Sequence, residues 1–138
     1  MIVADTSLIA SFFLETALTP LTKRVHKEDP IWIFPPLWKE EFANVLAKFA
    51  RKDATKTEEE ILSHFEYTVS ELEIYERKVN LPSVLRLALR HRISVYDAHF
   101  VQLAIDNKIV LLTEDREIIK NCPAWAMSMH SFLHTEKK

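Results

Sequence analysis

Four acidic residues stand out by position: Asp5, Glu41, Asp97 and Asp115. Asp5 follows the apolar run Ile2 to Ala4, and Asp115 follows Ile109 to Leu112 through Thr113. Open α/β sheets hold their ligands just beyond the carboxyl ends of the strands, so acids placed there are candidates for chemistry. Each of the two serves equally well as a helix N-cap or a first-turn acid, and alone neither defines a site. Asp97 lies inside ISVYDAHFV, where apolar neighbours on both sides disfavour a merely solvated charge; reciprocal capping with Ser94 is its structural alternative. Glu41 sits beside the apolar stripe of Trp38, Phe42, Val45, Leu46 and Phe49, on an edge shared with Asn44 and Lys48. Its neighbour Glu40 points about 100° away around the helix, and on spacing alone a solvated helix charge fits both.

Four carboxylates in one pocket would repel by about 3 kcal/mol per pair at roughly 5 Å and an effective dielectric of ~20. Such a set requires a cation. Oxygen-only ligation selects a hard ion such as magnesium or manganese, which keeps waters and acidifies one of them.

The elements that would position these acids are legible as alternating short apolar runs and longer helical stretches. Ile2 to Ala4, Ile31 to Phe34, Ile109 to Leu112 and Ala126 to Met129 are the expected strands. A helix should start near Thr6, another from Pro36 to about Lys52, and others at the Thr57–Glu60 capping box, over Leu81 to His91, and over Val95 to Asp106 behind a Ser94 cap. The alternation predicts a parallel sheet covered by helices. With 138 residues, 48% of them apolar, one domain over residues 1–134 is expected, with a polar ending at 135–138 that frays.

Composition narrows the function classes. The lone Cys122 excludes an intramolecular disulfide, and no Cys and His spacing suits zinc; a reducing, cytoplasmic setting is expected. His130 and His134 have a helical metal spacing but lie near the fraying end, and are assigned no role. No apolar run approaches the ~18 residues of a membrane span, and the first residues lack a basic leader. A net charge of -2 argues against broad nucleic-acid coating while allowing a local basic rim. The chain contains no glycine, which removes the glycine-dependent phosphate loops of dinucleotide and P-loop enzymes.

In series, the acidic segments resemble the PIN domain, and within it the VapC-like toxins of prokaryotic toxin–antitoxin pairs. VADTS at Val3 to Ser7 resembles that family's opening strand and its Asp-Thr-Ser; EFANVL at Glu41 to Leu46 resembles its Glu-x-x-Asn-x-Leu helix. YDAHFVQLA at Tyr96 to Ala104 resembles the Asp-Ala helix, and LLTED at Leu111 to Asp115 the strand ending in Thr-x-Asp. The Glu-x-x-Asn register favours Glu41 over Glu40. Order and spacing agree over nearly the whole chain; the absence of glycine near the later strands is the departure.

The resemblance implies a three-layer α/β/α fold around a mostly parallel sheet, a metal-dependent endoribonuclease using Mg2+ or Mn2+, frequent homodimers, and an antitoxin that occludes the acidic pocket. On this reading Asp5 and Asp97 are the principal metal ligands, with Glu41 and Asp115 binding through water or a second ion. Ser7 and Thr113 would orient waters, and Asn44 would support Glu41. Lys39, Lys48, Arg51, Lys52 and Arg116 are candidates to grip RNA. Three alternatives use the same residues: a catalytically silent binding module of this fold, a PIN nuclease acting on DNA or in RNA maturation, and a receiver- or phosphotransferase-like domain. The last fits worst. Haloacid-dehalogenase-like enzymes carry a second Asp two residues after the first, where this chain has Ser7.

Overall fold

A computed structural model describes residues 1–135 of the chain. Four short strands, β1 (Ile2–Ala4), β2 (Trp32–Ile33), β3 (Leu111–Leu112) and β4 (Ala126–Met127), form one sheet in the order β2-β1-β3-β4. All three pairings are parallel. Ile2, Val3, Ala4, Leu111 and Leu112 are buried, as strands covered on both faces require.

The helices are α1 (Thr6–Phe13), α2 (Thr19–Glu28), α3 (Trp38–Lys52), α4 (Glu58–Leu72), α5 (Leu81–His91), α6 (Val95–Asn107), α7 (Arg116–Asn121) and α8 (Met129–Thr135). From β1 the chain moves outward to β2, then back past β1 to β3. Right-handed crossovers in opposite directions put α1 and α2 on one face and α6 on the other. In keeping with this, α2 packs against α1 and α8, while α6 packs against β1, β3 and α5. The result is a three-layer α/β/α arrangement around a wholly parallel sheet.

Helix starts follow local chemistry. Thr57 caps α4, its hydroxyl accepting from the Glu60 amide at 3.1 Å, and Ser94 caps α6 through the Asp97 amide at 3.0 Å. Pro36 lies in the turn before α3 rather than inside it, because the helix begins two residues later at Trp38. Each strand after β1 is shorter than its apolar run: Met129, read as strand, opens α8, and Ile109 and Val110 lead into β3. Without glycine, the left-handed C-caps of α5 and α6 are made by Arg92 (φ 56°) and Lys108 (φ 55°).

The open edge of β2 is covered by the segment after α4. Phe34 bridges to Glu76, whose carboxylate accepts from the Trp38 indole at 2.7 Å and pairs with Lys39 at 3.1 Å. This pins the start of α3, and with it Glu41, against the sheet. The fraying expected at 135–138 falls outside the described residues apart from Thr135, which closes α8. Among the described residues, no helix is long and apolar enough to cross a membrane.

Candidate active site

Asp5 ends β1 and is the N-cap of α1. Its Oδ1 accepts from the Thr6 amide at 2.7 Å and its Oδ2 from the Thr113 hydroxyl at 2.6 Å. Thr113 is fully buried one residue beyond β3, and its Oγ1 also accepts from the Asp115 amide at 3.0 Å. One threonine therefore ties the two strand-end acids together. Asp115 is in turn the N-cap of α7, accepting from the Glu117 amide at 2.9 Å and the Ile118 amide at 3.3 Å. The cap readings of Asp5 and Asp115 are thus true of the structure, and both caps follow on strands of the sheet.

Glu41 lies in the first turn of α3, and its Oε1 accepts from the buried Thr6 hydroxyl at 2.6 Å. Asp97 lies in the first turn of α6, partly buried. All four acids therefore stand at helix N-termini, whose partial positive charge offsets some of their repulsion and favours an incoming anion.

Electrostatics register the convergence. Burial pushes the Asp5 carboxyl up first, with Asp97 and Asp115 adding to the shift, although hydrogen bonds from Thr113 and Thr6 pull the other way. Burial also raises Glu41, helped by Asp5, Asp97 and Glu40 and opposed by the Thr6 hydroxyl. Asp97 is raised by burial and then by Asp115 and Glu117, against its hydrogen bond with Ser94. Among the described residues no lysine, arginine or histidine makes an ion pair with any of the four.

The donor set is oxygen-only. Among the described residues no group of three or more His, Cys, Asp or Glu is drawn close enough to cage an ion directly. Such a set fits a hard ion that keeps much of its water and is bound through one or two carboxylates, as magnesium characteristically is.

The supporting residues divide differently from expectation. Thr113 holds Asp5 directly, and the Ser7 hydroxyl is buried without a hydrogen-bond partner. Asn44 is exposed and makes no hydrogen bond to Glu41; Thr6 makes that bond instead. Thr6 was missed because its contact spans 35 residues, although a threonine directly after a capping aspartate was a visible hint. Arg116 opens α7 beside Asp115 and is exposed, whereas Lys39 is engaged by Glu76. Lys48, Arg51 and Lys52 lie further along α3, roughly 10 to 16 Å from Glu41 at 1.5 Å per residue.

Comparison with known proteins gives a consistent picture. The chain is similar to the crystal structure of PAE2754 from Pyrobaculum aerophilum, with a TM-score of 0.67 and 23% sequence identity over 97% of this chain and 94% of that one. That likeness concerns the fold. No curated protein matches the chain. A model of the PIN domain matches residues 2–122, a span that holds all four acids, and PIN domains are generally nucleases. The chain belongs to the PIN domain family.

Proposed function

We infer that the chain is a divalent-metal-dependent endoribonuclease, the toxin of a VapBC-type toxin–antitoxin pair. The observation that carries this reading is the approach of Asp5, Glu41, Asp97 and Asp115, from four separate elements, with three of their carboxyls raised by burial and by one another. Carboxyls raised by burial and, after it, by neighbouring acids would be relieved by a bound cation.

Asp5 and Asp97 would be the principal ligands of Mg2+ or Mn2+, with Glu41 and Asp115 holding through water. The bound ion would acidify a water and offset charge on the phosphorus. Thr113 and Thr6 keep the Asp5 and Glu41 oxygens from turning away from one another, and the converging helix N-termini favour the phosphate. Because water, and not the ribose 2′-hydroxyl, attacks, the products carry a 5′-phosphate and a 3′-hydroxyl. The acidic pocket would attract an arginine from an antitoxin and so be inhibited by occupation. The exposed Leu85 and Leu89 on α5 support a homodimer.

The test incubates the protein and its Asp5→Asn variant with single-stranded RNA and DNA in Mg2+, Mn2+ or EDTA. Cleavage of RNA by the wild type alone, abolished by EDTA, is expected. Equal cleavage by the variant, or activity surviving EDTA, contradicts the mechanism; preference for DNA contradicts the substrate.

A further inference from the structure

An open groove of about 420 Å3 runs alongside the acidic cluster, between the start of α3, the segment leading into α5, and α6. Two of the four acid-bearing elements form its walls. Glu40, at its rim, is the sequence neighbour of Glu41 and close enough to raise that carboxyl, and His99 lines the groove from α6. The Glu40 end of the groove therefore lies next to the Glu41 carboxylate.

Its bed is apolar, built from Leu37, Val79 and Leu81. Its charged lining is Lys39, Lys78 and Glu40. Lys39 is held by Glu76, but Lys78 is exposed and has no acidic partner among the described residues. His99 is partly buried, with Nδ1 2.7 Å from the Val95 carbonyl. A carbonyl only accepts, so Nδ1 is the donor, and Nε2 is left as a ring nitrogen with no partner among the described residues.

An apolar bed with one free cation and one free hydrogen-bonding nitrogen matches a single nucleotide unit: a base lies on the apolar side chains, a phosphate meets the lysine, and a polar edge meets the imidazole. We propose that the Lys78–His99 groove is the subsite for the nucleotide of a single-stranded RNA adjoining the one cut at the carboxylates. This rests on the nuclease reading above. Phosphates approaching the cluster are repelled by four carboxylates, and a neighbouring cation that is not already neutralised is what holds the strand there.

The experiment measures binding of a fluorescent single-stranded RNA to Asp5→Asn protein in Mg2+ by anisotropy across a salt series. Lys78→Gln and His99→Ala are each added, with Lys27→Gln on α2 as the charge control. Steady-state cleavage is measured in the same substitutions without Asp5→Asn. Lys78→Gln should weaken binding several-fold and reduce the log–log salt slope by about 0.7, as loss of one phosphate contact on a single strand does, while the control does neither. Both groove variants should raise KM by more than they lower kcat. Unchanged affinity, salt slope and KM in both variants overturn the proposal. If the wild type cleaves nothing but the groove variants still lose RNA binding, the groove stands and the nuclease reading falls.

Discussion

The Thr6 hydroxyl donates to the Glu41 carboxylate at 2.6 Å, joining the first turn of α1 to the first turn of α3 across 35 residues. Thr6 is also the residue whose amide donates to Asp5. A single residue therefore fixes two of the four acids, one through its backbone and one through its side chain.

Thr6→Val keeps the shape of that residue and removes only its hydroxyl. A hydrogen bond to a charged group contributes about 1.5–3 kcal/mol, so a loss near the lower bound is expected at this partly buried site, read by urea unfolding. Cleavage should fall at least several-fold as Glu41 loses its fixed rotamer. Asn44→Ala, at an exposed position, should change neither. The reverse pattern would show that Asn44, not Thr6, supports Glu41.

Thr113→Val should be the more damaging substitution, because Thr113 donates to Asp5 and accepts from the Asp115 amide. Thr113→Ser, which keeps both bonds, should retain most of the activity. Equal activity in the valine and serine variants would remove this residue from the account.

The pH dependence of stability follows from the raised Asp5 carboxyl. The folded protein binds that proton more tightly than the unfolded chain, so this contribution is fully present below the unfolded value and is lost as pH rises through the folded one. In EDTA at neutral pH, Asp5→Asn should therefore melt above the wild type. The two should converge below about pH 4, where the wild-type carboxyl is protonated in both states. Melting of the variant below the wild type at neutral pH would mean that the native charge is stabilised, contrary to the crowding of acids described.

Arg92 and Lys108 hold left-handed backbone at helix ends where glycine is the usual residue. Left-handed backbone costs about 1–2 kcal/mol in a residue with a Cβ, partly offset by glycine's greater unfolded freedom. Lys108→Gly should thus stabilise by about 0.5–1 kcal/mol in urea unfolding. Net destabilisation would count against the strain.

Much of this architecture was legible in the chain. The run Ile2 to Ala4 ended at a carboxylate and is β1, and the stretch Leu81 to His91 is α5 to the residue, because apolar spacing and a capping Asn80 mark it. The four acids could be named because each sits at the end or start of an element. What holds them could not. Thr6 to Glu41 and Thr113 to Asp5 are contacts across 35 and 108 residues, and no local pattern encodes a partner that distant. Lys78 and His99 were overlooked for the same reason: each reads as an ordinary polar residue until the fold brings the segment before α5 and α6 to one groove.

The most direct measurement of the four-carboxylate site is a calorimetric titration of the protein with Mn2+ at neutral pH, beside Asp5→Asn, Asp97→Asn and the exposed Glu59→Gln. Saturable binding that weakens at least tenfold in the two aspartate variants and is unchanged in Glu59→Gln is the predicted result. Equal affinity in all four proteins would contradict the account.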